Sequence, residues 1–141
     1  MSYREKFSWL SLAAMVVTYV PYFAIVIAGY FPARPLPDLR QLGVFALVSI
    51  VRVLILGIGY LYLRFGSRQE ARMPPDERDL AIKSRSMSSA YYVLLSGMIY
   101  VGCFMPFTSA GWTIVNAALF MIVAAEVVRE GVVVFCYRRQ A

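Results

Sequence analysis

Residues 41–63 read QLGVFALVSIVRVLILGIGYLYL, and this stretch decides the fold. It carries one charge, Arg52, and is apolar on every side of a helix. A bilayer core about 30 Å thick takes roughly 20 mostly apolar residues in helical form. A helix on a soluble protein instead keeps a polar face toward water. The stretch therefore reads as a membrane span.

Working outward, three more segments meet the same test. Residues 7–31 contain no charge. Residues 86–107 contain none and form the inner part of a helix expected over 76–107, whose start extends into the cytoplasm. Residues 112–137 contain Glu126, Arg129 and Glu130. The expected fold class is all-α: an integral membrane four-helix bundle in which residues 1–141 form a single membrane domain. Its helices run over about 7–31, 41–63, 76–107 and 112–137, with a cytoplasmic loop over 64–79.

Composition agrees. Of 141 residues, 60% are hydrophobic and 16% charged, against about 45–50% and 25% in ordinary soluble domains. Mean hydropathy is +0.65. A chain this short cannot bury that much apolar surface in water. A soluble enzyme, a disordered chain and a disulfide-rich module are all excluded. The absence of histidine removes imidazole metal sites and Ser-His-Asp triads. Cys103 and Cys136 are expected near opposite faces of the membrane, too far apart to bridge, and read as small apolar fillers. The uncharged run over 7–31 is too long for the apolar core of a signal peptide and is expected to remain as an anchor.

The breaks between segments are also readable. Pro32, Pro35 and Pro37 are expected to end the first helix and keep the following segment extended. Asp38 is placed to cap the second. Asp76 is placed to cap the third, with Asp79 three residues on as a weak capping-box partner. Pro106 and residues 108–111 make a short turn, so the third and fourth helices are antiparallel neighbours.

Lys and Arg are unevenly distributed. Ten of the 14 lie at the termini and over 64–85, two lie between the first two segments, and Arg52 and Arg129 lie within segments. The positive-inside rule places both termini and the central loop in the cytoplasm. The expected location is the cell inner membrane, as a multi-pass protein. The net charge of +6 is then matched to anionic lipid rather than to nucleic acid.

Ionisable groups at membrane depth mark functional sites by default. Arg52 lies near the middle of its segment and Glu126 close to the middle of the fourth, so their depths match to within about 3 Å at 1.5 Å per residue. Arg129 is at i+3 from Glu126 and can pair along the same helix. A stripe of Asn116, Leu119, Val123, Glu126, Glu130, Val133 and Tyr137 has the spacing of a bundle seam. Pro21 frees the carbonyl of Val17 in the first segment, near Tyr19 and Tyr22. The candidate polar site is therefore Arg52, Glu126, Arg129, Glu130, Tyr19, Tyr22 and Ser49. It serves either as a structural ion pair or as a ligand or proton site.

The third segment is rich in small residues: Ser84, Ser86, Ser88, Ser89, Ala90, Ser96, Gly97 and Gly102. Such residues let membrane helices approach closely. Pro75-Asp76-Glu77-Arg78-Asp79 followed by Ala90-Tyr91-Tyr92-Val93-Leu94-Leu95 resembles a pattern in small bacterial membrane proteins of uncharacterised families. The resemblance implies a location and a fold, with no activity attached.

No nucleophile–base pair, phosphate loop or cofactor motif stands in the sequence. The expectation is a non-catalytic accessory, sensing or immunity-type subunit with no cofactor and no metal. Its partners would be the lipid bilayer and a second copy or another membrane protein. The alternative is a small dimeric ion-coupled transporter using Glu126 and Arg52. Small multidrug carriers share the layout of four short helices, but their glutamate lies in the first helix, which carries no charge over 7–31 here.

Overall fold

The computed structural model describes residues 3–31, 38–66, 74–109 and 111–139. Four long helices account for nearly all of them: α1 (Tyr3–Ile27), α2 (Leu39–Gly66), α3 (Glu77–Thr108) and α4 (Trp112–Arg139). No strand occurs among the described residues.

Three helices, α1, α2 and α3, are long and apolar enough to cross a membrane. The helix α4, with Asn116, Glu126, Arg129 and Glu130, is not among them. Unlike a soluble protein, the bundle turns many large apolar side chains outward while burying several polar ones. The buried stripe of α1 includes Glu5, Ser8, Ser11 and Thr18, while Val16, Val17, Val20 and Ile25 face outward. The apolar stretch of α2 has no buried residue at all. In water such a surface would be one continuous sticky patch; facing lipid it is at no disadvantage.

Packing runs in the order α2–α1–α4–α3. The side between α2 and α3 has no extensive packing. At two glycines a side chain of the neighbouring helix presses against the backbone. Leu10 of α1 fills the space where a Cβ on Gly59 of α2 would lie, and Met121 of α4 does the same at Gly97 of α3. Between them, Met15, Tyr19 and Val123 form a core with Phe23, Phe45 and Val48 against it. A second core of Ile82, Cys136 and Tyr137 joins α3 to α4. Because α4 touches both α1 and α3, its buried residues are spread around it rather than gathered in one seam. Of the expected seam, Val123, Glu130 and Tyr137 are buried, and Asn116, Leu119, Glu126 and Val133 are half-buried.

Several boundaries differ from the expected ones. Helix α1 ends at Ile27, short of Phe31, because Gly29 takes a left-handed conformation with φ of 76°. Gly29 N–H donates to Val26 O and Tyr30 N–H to Ile25 O, which closes a Schellman turn. Only glycine adopts that backbone without cost. The prolines at 32, 35 and 37, expected to end this helix, lie outside the described residues. Helix α1 also continues through Pro21. Helix α2 extends to Gly66, and of the loop expected over 64–79 residues 67–73 lie outside the described part.

Pro106 does not end α3. It lacks an N–H, and the helix absorbs this by widening into a π-turn over Tyr100–Phe104, with Met105 N–H reaching back to Tyr100 O. The helix then continues to Thr108, and the turn that follows uses Gly111 with φ of 61°. At the other ends, Asp38 Oδ1 accepts from the N–H groups of Arg40 and Gln41. Asp76 and Asp79 form a reciprocal capping box.

Candidate functional site

The charged side chains of α2 and α4 meet halfway along the helices. Arg52 Nη2 lies 3.7 Å from Glu126 Oε2. Arg129 Nη2 lies 2.9 Å from the same oxygen and 2.8 Å from Glu130 Oε1. The order along the group is thus Arg52, Glu126, Arg129, Glu130, with charge alternating in sign. The i,i+4 repulsion between Glu126 and Glu130 is removed because Arg129 stands between them. Glu130 is the most deeply buried of the four at 6% exposure, and it is held by the shortest of these contacts.

Helix α1 supplies the neutral wall. The Arg52 guanidinium lies 5.5 Å from the centre of the Tyr19 ring, within range of a cation–π contact. Tyr19 Oη is 3.4 Å from Ser49 Oγ, one turn along α2 from Arg52. The Tyr19 ring stacks on Phe45. The Arg52 Nε is buried without a hydrogen-bond partner among the described residues, so Arg52 keeps one buried donor unused.

Six of the seven candidate residues therefore lie together. Tyr22 does not join them. Its hydroxyl donates to Asn116 Oδ1 at 3.1 Å, and its ring packs edge-on against Phe23 and Phe45. That contact ties α1 to α4 about a turn away from Tyr19. Thr18, close to the same depth, donates to Ala14 O within its own helix.

A second polar cluster lies at the arginine-rich end. The carboxylate of Asp79 receives Arg4 of α1 and the Tyr137 hydroxyl of α4, besides serving the capping box of α3. One side chain thus joins three helices. Arg78 lies 5.9 Å from the Tyr137 ring and Arg138 5.0 Å from the Trp9 ring. Arg138 also approaches Glu5 at 3.9 Å. Sequence reasoning gave Asp79 only its capping role. The missing signal was the hairpin register: Gly97 and Met121, then Asp79 and Tyr137, lie at similar sequence distances on either side of the junction between α3 and α4. A cavity of about 390 Å³ opens beside this cluster, with lining residues from all four helices.

The small residues of α3 divide. Ser86 and Gly97 are buried, and Gly97 is the one pressed by Met121 of α4. Ser84, Ser88, Ser96 and Gly102 are exposed. The hydroxyls of Ser86, Ser89 and Ser96 bond back to carbonyls of their own helix. Cys103 and Cys136 are both free thiols. Among the described residues no group of three acidic or Cys side chains is arranged to hold a metal.

Chemically, the central group is two carboxylates against two guanidinium groups, neutral as a whole. It can fix the register of α2 on α4. It can also change state only by moving a proton or breaking a contact, and the Arg52–Glu126 contact is the longest of its three. Comparison with known protein families, with characterised proteins and with solved structures finds no match to this chain.

Proposed function

We propose that the chain is a four-span subunit of a bacterial inner membrane, with both termini and the 64–79 segment in the cytoplasm. In this reading it acts through contacts with other membrane helices and catalyses no reaction. The observation that carries it is the internal neutrality of the charge group. Each of Arg52, Glu126, Arg129 and Glu130 has an opposite partner within 4 Å, so α4 can enter a bilayer without an unpaired charge. Burying one unpaired charge costs a few kcal/mol on insertion scales. Helix α4 also runs antiparallel to α3 along its length, with Gly97–Met121 contact midway and Asp79–Tyr137 contact at one end, so it shares the depth of a helix that is long and apolar enough to span. The Lys and Arg gathered at that same end support the orientation.

The contacts would be made by the outer faces of α2 and α3, which hold Leu47, Ile50, Val53, Leu54, Tyr91 and Tyr92 in the open. The test separates this from solute transport. Protein in weakly buffered detergent is mixed with a panel of cationic solutes, and released protons are measured. The subunit reading expects no solute-dependent release. Release that disappears in Glu126→Gln would overturn it in favour of an ion-coupled carrier. One feature favours that second reading. Arg52 carries an unused buried donor and the longest ionic contact in the group, so it is the member most readily freed by protonation of Glu126.

A further inference from the structure

The packing order leaves one side of the molecule unclosed, between α2 and α3. The 390 Å³ cavity lies at the arginine-rich end, where Tyr60 of α2 and Lys83 of α3 both reach its lining. Its walls are apolar, built by Phe7, Leu80, Ile82 and Val133. Two cations, Arg4 and Lys83, stand in the lining against one carboxylate, Asp79. That carboxylate is already engaged by Arg4 and by the Tyr137 hydroxyl. Lys83 is exposed and makes no ion pair among the described residues.

A site with apolar walls and an uncommitted ammonium group suits an amphiphile with an anionic head. A soluble metabolite would leave Phe7 and Leu80 facing water, and a neutral lipid would leave Lys83 without a counter-charge. The ring of Tyr60 adds the amphipathic lining that interfacial sites favour. Arg64 lies one turn further along α2 with its guanidinium 5.9 Å from the Tyr60 ring, adding positive potential near the mouth.

We propose that this cavity binds the phosphodiester headgroup of an anionic glycerophospholipid, with the phosphate on Lys83 and the first acyl carbons against Phe7, Leu80, Ile82 and Val133. The proposal rests on the membrane placement argued above. It assigns Lys83 as the primary phosphate contact, while Arg4 stays bound to Asp79 and contributes field rather than a new bond. The lipid then fills the side that α2 and α3 leave open and ties the two flanking helices together.

The full chain, purified in neutral maltoside micelles, is titrated with phosphatidylglycerol while its thermal unfolding is followed. A saturable rise in melting temperature is expected with phosphatidylglycerol and not with phosphatidylcholine. Lys83→Gln should weaken the apparent affinity about fivefold, the effect of one cation at an anionic lipid surface. Lys83→Arg should restore it, and Arg85→Gln, outside the lining, should change it less than twofold. Equal stabilisation by phosphatidylcholine, or unchanged affinity in Lys83→Gln, would overturn the proposal. So would saturation by inorganic phosphate alone at comparable concentration, which would make the site a free-anion site. Flotation with phosphatidylcholine vesicles reads the membrane placement separately. A chain that floats yet shows no preference for phosphatidylglycerol loses the lipid site and keeps the four-span reading.

Discussion

Glu126 of α4 holds Arg52 of α2 at 3.7 Å and Arg129 of its own helix at 2.9 Å through one carboxylate oxygen. The two arginines are therefore not equivalent. Arg129 has a second acid in Glu130, whereas Glu126 is the acid that Arg52 reaches among the described residues.

This asymmetry sets the first prediction. Glu126→Met should destabilise the protein by about 3 kcal/mol, because it strands Arg52 in the bundle. Arg52→Met should cost less, since Glu126 keeps Arg129. The double variant should be more stable than Glu126→Met alone. Melting temperatures of the three variants in one detergent check it, and strictly additive losses would show that the two residues do not interact.

Asp79 yields the second prediction. It closes the capping box of α3 and receives Arg4 and Tyr137. Asp79→Ala removes a cap worth about 1 kcal/mol and a hydroxyl–carboxylate bond worth roughly 1.5–3 kcal/mol. Tyr137→Phe removes only the second of these. Thermal unfolding should therefore rank Asp79→Ala below Tyr137→Phe, with both below the parent chain.

How much of this is legible in the sequence depends on the distance between the residues involved. The three apolar helices follow from hydropathy, because lipid demands an unbroken apolar run and nothing else in the sequence imitates it. The shared depth of Arg52 and Glu126 is readable because each sits near the middle of its own segment. Local stops were harder. Gly29 ends α1 through a left-handed turn before the prolines are reached, and Pro106 is absorbed by a π-turn that no hydropathy profile registers. The Tyr22–Asn116 bond and the Asp79 junction join residues from different helices at specific rotations about their axes. Hydropathy gives depth along the axis and is silent on rotation, so it groups Tyr22 with Arg52 and shows Asp79 only as a cap.

The third prediction concerns the α3–α4 contact. A methyl group on Gly97 would fall 2.1 Å from Met121 Cε and within 3 Å of its Sδ and Cγ. Gly97→Ala should cost about 1–3 kcal/mol through overpacking. Met121→Ala combined with it should recover part of the loss by making room. Urea or thermal unfolding of the single and double variants checks this, and a fully stable Gly97→Ala would show that Met121 swings aside freely.

Whether α4 crosses the membrane together with α1, α2 and α3, as proposed, is read most directly from the sidedness of three positions. Single cysteines at residues 36, 70 and 140, in a background with Cys103 and Cys136 changed to Ala, are exposed in intact cells to a membrane-impermeant maleimide. Four spans with cytoplasmic termini predict labelling at 36 alone, with 70 and 140 labelled only after the cells are opened. Labelling of 140 together with 36 in intact cells would place the end of α4 on the outer side and contradict the account.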